Sequence, residues 1–354
     1  MRSNIKFFKN LKSLAVDKFF YNVLYDKNIG YYSSHLPFGE KGDYITSPKI
    51  SNLFSEIIAI WIVSTWENFG KPKNINIVEL GPGDGSLINI LLRVSKNFPE
   101  FNKAKEVYLL EISKSLKKHQ RKIIKNGKVK WIKNLKEIKK GPVIFFGNEY
   151  FDAIPIKQFK SQKGMLFEKN FYLNKNFSIS QVFKKAKKED IKDIKSYKSL
   201  GNLKFIEYPK LGLETLKKII IKITQSKGCL LLIDYGYTKS NNQNTLQSVI
   251  QHKKNNILQN LGKADVTSHV NFELLKEFFL KNKLKVKNII TQKEFLEQMG
   301  IIKRAEILSR KMKFSEKSDL YLRLKRLLGP NSMGSLFKVI LAYNNKNKNY
   351  YGFK

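Results

Sequence analysis

A short apolar run ends in a glycine-rich turn and continues directly into a helical pattern. The run Ile75–Leu80 is followed by Gly81, Gly83 and Gly85. Glycine accepts backbone dihedrals that other residues avoid and lets a ligand approach the chain closely. A helix that starts at such a turn offers unpaired N–H groups to an anionic or polar ligand. The feature therefore predicts a strand–turn–helix unit that holds a ligand, with a tight turn without a ligand as the alternative.

The glycine spacing separates this turn from the dinucleotide fingerprint. That fingerprint reads G-x-G-x-x-G, whereas this turn reads G-x-G-x-G and follows Glu79, which lies inside the predicted strand. The shorter spacing favours a nucleoside without a pyrophosphate. A nicotinamide-dependent dehydrogenase therefore ranks last among the possible nucleotide-binding functions.

From Ile75 onward, short apolar runs alternate with longer helical patterns. This alternation is typical of stacked βαβ units and a mainly parallel sheet. The predicted strands are Ile75–Leu80, Val107–Glu111, Val129–Ile132, Val143–Phe146, Leu230–Asp234, Leu284–Ile290 and Leu336–Tyr343. The predicted helices, which show apolar residues at three- and four-residue spacing, are Leu87–Val94, Leu116–Lys125, Leu213–Gln225 and Phe272–Leu280. The sequence predicts a doubly wound, seven-stranded, Rossmann-like α/β fold.

Two regions depart from this alternation. Residues 1–74 contain glycine-rich loops and a helix start at Pro48, so we interpret them as an N-terminal helical lid or cap before a main domain at 75–354. Residues 156–211 contain alternating stretches that predict an inserted, substrate-side β meander. Within it, the lysine-rich segment Lys184–Lys198 is predicted to be a solvated loop.

The chain of 354 residues carries a formal net charge of +38, yet 42% of its residues are hydrophobic. That hydrophobic fraction predicts a folded chain rather than a disordered basic one. Lysines are spread over almost every segment and do not form one stripe with aromatic residues, as a nucleic-acid footprint would. We therefore expect weak, non-specific attraction to acidic macromolecules and no specific nucleic-acid partner.

Cysteine and histidine usage excludes several kinds of site. Cys229 is the single cysteine, so the chain has no internal disulfide and no multi-cysteine zinc site. The histidines, which show no ligand-like spacing, are His35, His119, His252 and His269. We therefore expect no metal site.

No apolar run approaches the roughly 18 to 20 uncharged residues that a membrane-spanning helix needs. Met1–Leu14 is basic and faintly amphipathic, but a folded pattern begins almost at once at Asp17. We therefore expect no membrane span and a cytoplasmic protein of bacterial type, or a protein of the mitochondrial matrix if the source is eukaryotic.

Glu111 ends the predicted strand that follows the glycine turn and its helix. A carboxylate at this end of the adjacent strand can accept both hydroxyl groups of a ribose. We therefore predict that Glu111 binds the ribose of the ligand, with a solvated acid just past a strand as the alternative.

A cluster of polar residues follows the fourth predicted strand. Asn148, Glu149 and Asp152 come directly after its apolar run, and ligands of open parallel sheets bind at that edge. Two acids there can hold a guanidinium group bidentately and orient one nitrogen toward an electrophile. We predict these three residues to be catalytic. The alternative is that Asn148 caps the following turn and Asp152 only accepts hydrogen bonds from backbone N–H groups.

A weaker set of residues lies further along the chain. Asp234 and Tyr235 end the fifth predicted strand, and Asp265 and His269 lie in a later loop. All four are predicted to line the substrate side. His269 could act as a base, although a lone histidine is more often a structural hydrogen-bonding residue.

With these motifs, the chain resembles class I S-adenosylmethionine-dependent methyltransferases of the MidA family, which includes the mitochondrial complex I assembly methyltransferase. The resemblance runs nearly end to end. It is carried by Gly30–Tyr32, Gly42–Pro48, Glu79–Gly85, Asn148–Pro155, Ile233–Gly236, Thr245–Gln247, Ala264–Thr267, Val270–Phe272, Thr291–Gln292, Phe295–Leu296, Met333–Gly334 and Leu336–Val339. The chain departs from the family pattern at Lys49, where members usually carry an acid, and at Ser86, where many carry threonine.

The resemblance implies a function and further site residues. It implies S-adenosyl-L-methionine as cofactor and methyl transfer to an arginine of a protein substrate, for which a respiratory complex I subunit is the candidate. The cofactor-binding residues are then Glu79, Gly81, Gly83, Gly85, Glu111 and Asn148, joined by Asp43 and Thr46 from the Gly42–Pro48 block. The sequence does not determine the oligomeric state.

Two other functions remain open beside this one. A nucleic-acid methyltransferase would share the cofactor site, but Cys229 precedes a buried run and Asn148 is followed by Glu149 instead of the Pro-Pro-aromatic turn of amino-group methylation. A non-catalytic assembly factor would bind the same cofactor as a structural ligand. The glycine turn does not separate binding from catalysis.

Overall fold

The structure, a computed structural model, describes residues 5–34, 43, 46–124, 128–346 and 348–354. The helices are α1 (Ile5–Phe8), α2 (Val16–Tyr25), α3 (Tyr31–Ser34), α4 (Ser47–Ile50), α5 (Asn52–Asn68), α6 (Ser86–Ser95), α7 (Pro99–Ala104), α8 (Lys114–Ile123), α9 (Lys188–Lys195), α10 (Lys210–Ser226), α11 (Phe272–Lys281), α12 (Gln292–Gln298), α13 (Ile301–Ser309), α14 (Phe314–Leu328) and α15 (Met333–Leu336). The strands are β1 (Ser13–Ala15), β2 (Ile75–Leu80), β3 (Lys105–Leu110), β4 (Val129–Ile132), β5 (Val143–Asn148), β6 (Lys157–Gln162), β7 (Met165–Leu173), β8 (Ile179–Lys185), β9 (Phe205–Tyr208), β10 (Gly228–Tyr237), β11 (Gln247–Ile250), β12 (Lys253–Asn255), β13 (Asp265–Thr267), β14 (Val270–Asn271), β15 (Lys285–Val286), β16 (Ile290–Thr291) and β17 (Phe337–Asn344).

The chain divides into two compact units. The sheet unit comprises Ile45–Tyr150, Lys218–Gly236 and Phe279–Lys354. The meander unit comprises Met1–Tyr44, Phe151–Lys217 and Tyr237–Phe278. The predicted boundary at residue 74 does not coincide with a boundary between the units, because α5 packs on α6 within the sheet unit.

The sheet unit is built on strands in the order β15-β17-β10-β5-β2-β3-β4. Neighbouring strands from β10 to β4 pair in parallel, and β17 pairs with β10 antiparallel. The order reverses at β2, which lies between β3 and β5. Open α/β sheets bind their ligands at such a switch point, outside the carboxyl ends of the strands. The doubly wound fold predicted from the sequence is therefore present.

The core of the sheet unit forms because its central strands are mostly apolar and are buried on both faces. Every residue of β2 is buried, as parallel strands covered by helices require. α5 contributes Phe54 and Trp61 to this core, and α6 contributes Ile88 and Leu91. Burial of such side chains is worth roughly 1.5–3 kcal/mol each, so packing holds the glycine turn between β2 and α6 in place.

The predicted strand Leu284–Ile290 is wrong as a continuous element. The structure has two short strands, β15 and β16, which both pair with β17. Val286 pairs with Ala342, but Ile290 pairs with Val339, so one extra residue lies between the two ladders. Such an insertion is a β-bulge, and it interrupts the pairing that a regular strand would have continued.

The meander unit contains the predicted antiparallel meander, formed by β6, β7 and β8. Its sheet runs in the order β1-β7-β6-β9, so the N-terminal strand β1 joins a partner far along the chain. A second, three-stranded sheet has the order β12-β11-β13.

The predicted solvated loop Lys184–Lys198 is also wrong. Residues 188–195 form α9, and the Asp190 side chain is fully buried. Asp190 pairs with the Nζ atoms of Lys157 at 2.9 Å and Lys210 at 2.8 Å, and Lys157 also pairs with Glu168 at 2.7 Å. Because burying charges is unfavourable unless they are paired, this network ties the charged helix to the meander.

Within the described ranges, no helix is both long and apolar enough to cross a membrane.

Candidate active site

The glycine turn of the sheet unit has the backbone conformation that requires glycine. Gly81, Gly83 and Gly85 have φ values of 59°, 56° and 87°, which other residues rarely adopt. A Cβ atom on Gly81 would lie 2.8 Å from Cδ2 of Tyr150. The turn is therefore both left-handed and closely packed, and α6 begins directly after it.

Glu79 lies inside β2, just before this turn, and only 3% of its surface is exposed. Burial, and secondarily the charge of Asp84, raises the pKa of Glu79 to about 8. Among the residues that the structure describes, no hydrogen-bond partner meets its Oε2 atom. Because buried polar groups normally have partners, this atom points to a polar ligand at the turn.

Asp84 is held within the glycine turn by two contacts. Its Oδ1 atom accepts a hydrogen bond from the backbone N–H of Ser86 at 3.0 Å. Its Oδ2 atom pairs with Nζ of Lys49, which lies on α4. Lys49, where the family resemblance leads us to expect an acid, therefore contacts the glycine turn directly.

Glu111 follows β3 and is buried, and its two oxygens have different partners. Oε1 accepts from the backbone N–H of Ser113 at 2.7 Å, and Oε2 accepts from Nε2 of Gln120 at 3.2 Å. Burial raises the pKa of Glu111, and these hydrogen bonds oppose the shift. The carboxylate is thus fixed in orientation beside the turn.

Gln120 is a site residue that the sequence reasoning missed. It is fully buried on α8, and its Nε2 atom also donates to the backbone oxygen of Gly83 at 2.8 Å. The available signal was a polar residue four positions after Leu116, on the apolar face of the predicted helix.

Asn148 and Glu149 lie at the carboxyl end of β5, next to the switch point. Glu149 has a left-handed φ of 51°, and its backbone N–H donates to the carbonyl of Ile233 at 2.9 Å. Its Oε1 atom accepts from the backbone N–H of Ser47 at 3.1 Å and from Nδ2 of Asn148 at 3.1 Å. Strain of this kind in a non-glycine residue is typical of functional sites.

The Oδ1 atom of Asn148 is buried and has no hydrogen-bond partner within the described part of the chain. Together with Oε2 of Glu79, it is a second buried polar atom that no described protein group bonds. Both atoms belong to strands that flank the switch point, where a polar ligand is expected.

The two residues predicted from the Gly42–Pro48 block have separate positions. Thr46 is the N-cap residue of α4, the helix whose Ser47 contacts Glu149. Asp43 belongs to the meander unit, where its carboxylate accepts from the Tyr31 hydroxyl at 2.6 Å and from the Gln251 N–H at 2.6 Å. Thr46 therefore belongs to the sheet unit, which contains the glycine turn, whereas Asp43 belongs to the meander unit.

Asp234 and Tyr235 lie near the end of β10, in the sheet unit. Asp234 is buried, and its Oδ1 accepts from the N–H of Tyr235 at 3.0 Å. Ile233, the residue before them, is in register with Asn148 on the parallel neighbour β5. They therefore lie at the same sheet edge as Asn148 and Glu149.

Asp152 and Asp265 form a pair of buried acids in the meander unit. Asp265 accepts from its neighbour Val266 N–H at 2.9 Å and from the Tyr32 hydroxyl at 3.3 Å. Burial, followed by the charge of Asp152, raises the pKa of Asp265 to about 8. The Asp152 carbonyl also accepts from Ser268 N–H at 3.0 Å, which links the two loops.

His269 lines a small pocket of the meander unit together with Phe151, Glu207 and Tyr237. Its backbone N–H donates to Oγ1 of Thr245 at 2.9 Å, and burial lowers the pKa of its ring. A ring with a lowered pKa is neutral at pH 7.

The residues of the sheet unit fit a nucleoside cofactor. The three glycines add no side chain to the turn, and Glu79 and Asn148 each supply a buried polar atom that has no partner among the described residues. Glu111 supplies a carboxylate of fixed orientation, a group that can accept hydrogen bonds from hydroxyl groups. Groups of three or more potential metal-ligating side chains are absent from the segments that the structure describes.

Known proteins resemble this chain over most of its length. Residues 57–290 match a family described as "Putative S-adenosyl-L-methionine-dependent methyltransferase". The protein arginine methyltransferase NDUFAF7 of Xenopus tropicalis, named as mitochondrial, is 27% identical, with 93% of this chain and 82% of the relative covered. The Caenorhabditis elegans homolog is 30% identical, with 88% and 78% covered. The Homo sapiens protein is 27% identical, with 93% and 80% covered.

Two crystal structures from Burkholderia thailandensis share the fold. One, bound to S-adenosyl-homocysteine, has a TM-score of 0.80 at 20% identity and covers 100% of this chain and 92% of its own. The other has a TM-score of 0.83 at 19% identity and covers 99% and 93%. The predicted class I fold is thereby confirmed. With its glycine turn and strand-end acids inside the matched region, the chain belongs to this family of S-adenosyl-L-methionine-dependent methyltransferases.

Proposed function

We propose that this methyltransferase transfers a methyl group to an arginine side chain of a protein substrate. Relatives that cover most of the chain are named protein arginine methyltransferases, which supports this choice of acceptor. The observation that carries the proposal is the Glu149 carboxylate, fixed at the carboxyl end of β5 by Ser47 and Asn148. An acid in this position is suited to a cationic acceptor.

The sheet unit holds the cofactor in this proposal. Gly81, Gly83 and Gly85 form its cradle, Glu111 binds the ribose hydroxyls, and Glu79 and Asn148 satisfy polar groups of the ligand. Thr46 supports the site through α4. Bound S-adenosyl-L-methionine supplies the electrophilic methyl group.

Glu149 orients the substrate guanidinium. Arginine is always protonated in proteins, so the group must be held as a cation whose reacting nitrogen loses one proton as it gains the methyl group. A carboxylate that is already hydrogen-bonded needs little reorganisation to bind it, which lowers the barrier by positioning and by charge stabilisation. The left-handed backbone at Glu149 keeps the side chain in this orientation.

Asp152 remains the proposed second catalytic acid, three residues beyond Glu149. In the meander unit it lies near Asp265, and these two acids, with His269, are proposed to lie on the substrate side. Asp234 and Tyr235 complete the proposed substrate-side set.

The central experiment separates cofactor binding from turnover. Glu149→Gln should lower methyl transfer about 10²- to 10³-fold, as loss of one preorganised charge does, while S-adenosyl-L-methionine affinity stays within about threefold. Transfer is measured with radiolabelled cofactor on a lysate that lacks the enzyme, and the modified residue is identified by mass spectrometry. Glu137→Gln is the control, because one oxygen of Glu137 likewise accepts two N–H bonds, both from backbone groups, but Glu137 lies on an exposed turn.

Cofactor binding itself is measured by calorimetry at physiological salt, with Gly83→Val and NADH as negative controls. Label on nucleic acid or on a residue other than arginine would contradict the proposal. If a variant with both Glu149→Gln and Asp152→Asn still binds cofactor and supports growth as the parent does, the chain acts as a non-catalytic assembly factor.

The first candidate substrate is the respiratory complex I subunit implied by the family resemblance. We propose that the protein works in the cytoplasm of a bacterial cell, or in the mitochondrial matrix of a eukaryotic one. The relatives from Xenopus tropicalis and Homo sapiens are named as mitochondrial. Fractionation of source cells with an antibody to this chain tests the compartment.

A further inference from the structure

We infer that Gln120 is a positioning residue for cofactor binding, because it joins the glycine turn to Glu111, the acid that we propose binds the ribose. It lies on α8 and contacts Gly83 and Glu111, which come from the ends of two neighbouring strands. This inference rests on the proposed role of Glu111.

The amide of Gln120 uses both of its ends. Its nitrogen has two hydrogens, which go to the Gly83 carbonyl at 2.8 Å and to Oε2 of Glu111 at 3.2 Å. Its oxygen accepts from Nε1 of Trp131 at 2.8 Å. One side chain therefore connects three separate segments of the sheet unit.

Trp131 determines which way the amide points. The indole N–H can only donate, so it must face the amide oxygen, and the nitrogen must then face the two acceptors. Trp131 itself is held on β4 with the Arg121 guanidinium 5.2 Å from its ring. A flipped amide would leave the indole N–H facing another donor, so the observed orientation is favoured.

The consequence is a fixed geometry at the ligand edge. The Gly83 carbonyl is held in place, and Glu111 is held from both oxygens, by Ser113 and by Gln120. Each Glu111 oxygen keeps further acceptor capacity for a hydroxyl group. Binding energy is then not spent on ordering the carboxylate, which raises affinity through preorganisation.

Packing alone does not explain a glutamine at this position. Gln120 and Leu116 are the buried residues of α8, and Gln120 is fully buried. A leucine would fill such a position without any need for hydrogen bonds, whereas a buried amide is unfavourable unless its bonds are made. The hydrogen bonds of this amide go to the Gly83 carbonyl, the Glu111 carboxylate and the Trp131 indole.

The charge of Glu111 offers a readout that a purely structural residue would not change. Burial raises the pKa of this carboxyl, whereas Gln120, the N–H groups of Ser113 and Ile112, and the charge of Lys117 lower it. The Tyr150 hydroxyl also interacts electrostatically with the Glu111 carboxyl. Loss of the Gln120 donor should therefore raise this pKa further.

The test compares Gln120→Met with the parent by calorimetric titration with S-adenosyl-L-methionine across pH 5.5 to 8.5. At pH 7 we expect affinity at least about tenfold lower, roughly the value of one charge-assisted hydrogen bond. We also expect the pH below which affinity falls to move upward, because the carboxylate must be ionised to accept two hydroxyls.

Gln158→Met is the matched control. Gln158 is also fully buried, and its Nε2 donates to Glu207 and Asn244 at 2.8 Å each, but it lies in the meander unit. The Gln158→Met variant should lose stability, while its affinity for S-adenosyl-L-methionine stays within about twofold of the parent. If Gln120→Met does not fold, Gln120→Glu replaces it, since it keeps the volume and the acceptor for Trp131 but repels Glu111 at pH 8.

Unchanged affinity and an unchanged pH profile in the folded Gln120 variant would overturn the inference. Glu111→Gln, titrated in parallel, separates the two possible failures. If Glu111→Gln binds the cofactor as tightly as the parent, the proposed role of Glu111 is wrong. If Glu111→Gln binds weakly and Gln120→Met binds normally, only the role of Gln120 is wrong.

Discussion

Glu79 and Glu111 lie at neighbouring strands of the sheet unit, yet their surroundings favour different protonation states of the two carboxyl groups. Glu79 is buried beside Asp84, and no group of the described chain bonds its Oε2 atom, so the neutral form is favoured. Glu111 accepts two hydrogen bonds that favour its charged form. The same residue type thus offers a neutral acid at one position and a fixed acceptor at the other.

A first prediction concerns the proton on Glu79. Its pKa of about 8 keeps most of the group protonated at pH 7. S-adenosyl-L-methionine carries positive charge, and a nearby cation lowers the pKa of an acid, so cofactor binding should release up to about one proton at pH 7. Calorimetry in buffers of different ionisation enthalpy measures the release. Glu79→Gln should bind without it, and equal release from that variant would assign the proton to another group.

A second prediction concerns Gly81. Gly81→Ala adds a Cβ atom 2.8 Å from Tyr150 at a φ of 59°, whereas Gly70→Ala adds one at a φ of 86° with no atom within 4 Å. The backbone strain alone costs about 1–2 kcal/mol, and overpacking adds about 1–3 kcal/mol. Gly81→Ala should therefore be the more destabilising variant in urea unfolding, and the only one of the two that weakens cofactor binding. Equal losses of stability would show that the Tyr150 ring moves aside freely.

At the scale of elements, long-range partners determine which segments become regular. The lysine-rich segment at 188–195 is a helix because Asp190 reaches Lys157 and Lys210, which lie elsewhere in the chain. β1 is a strand because it pairs with β7. Local charge and propensity predict neither.

A third prediction tests the buried ion network. Lys157→Met leaves Glu168 and Asp190 without this partner, and breaking a buried pair costs about 3–5 kcal/mol. Lys130→Met is the comparison, because its pair with Glu106 is exposed and such pairs are worth about 0–1 kcal/mol. The free energy of unfolding, measured with denaturant at pH 7, should separate the two variants. A loss below about 1 kcal/mol for Lys157→Met would mean that the acids become protonated or hydrated without penalty.

For the whole molecule, the main feature is the formal net charge of +38. So large a charge destabilises the folded state by self-repulsion and attracts polyanions without specificity. Neither effect involves the glycine turn or Glu149. The charge therefore says little about the methyl acceptor.

The fourth prediction follows from screening. Raising the salt concentration from low values to about 0.3 M should raise the melting temperature, because screening weakens self-repulsion. Over the same range, affinity for duplex DNA should fall by several orders of magnitude, as for binding through phosphate contacts alone. Filter binding and thermal unfolding measure the two effects. DNA binding that survives high salt would favour the nucleic-acid methyltransferase instead.

Three features could be predicted because each is encoded in a few consecutive residues. They are the alternation of strands and helices along the chain, the glycine turn and the acids at the strand ends. Left-handed dihedrals require glycine wherever the chain folds, and a buried strand requires an apolar run. The family and the cofactor followed from such local motifs, since Gly81–Gly85 and Asn148–Glu149 are contiguous.

Only the tertiary structure decided which distant residues meet. The link from Gln120 to Gly83, Glu111 and Trp131 joins segments that no local pattern relates. The same holds for the bulge opposite β17 and for the helix at 188–195. The physical reason is that burial creates these preferences: an amide, a charge or an extra residue is tolerated only where partners from elsewhere in the chain satisfy it.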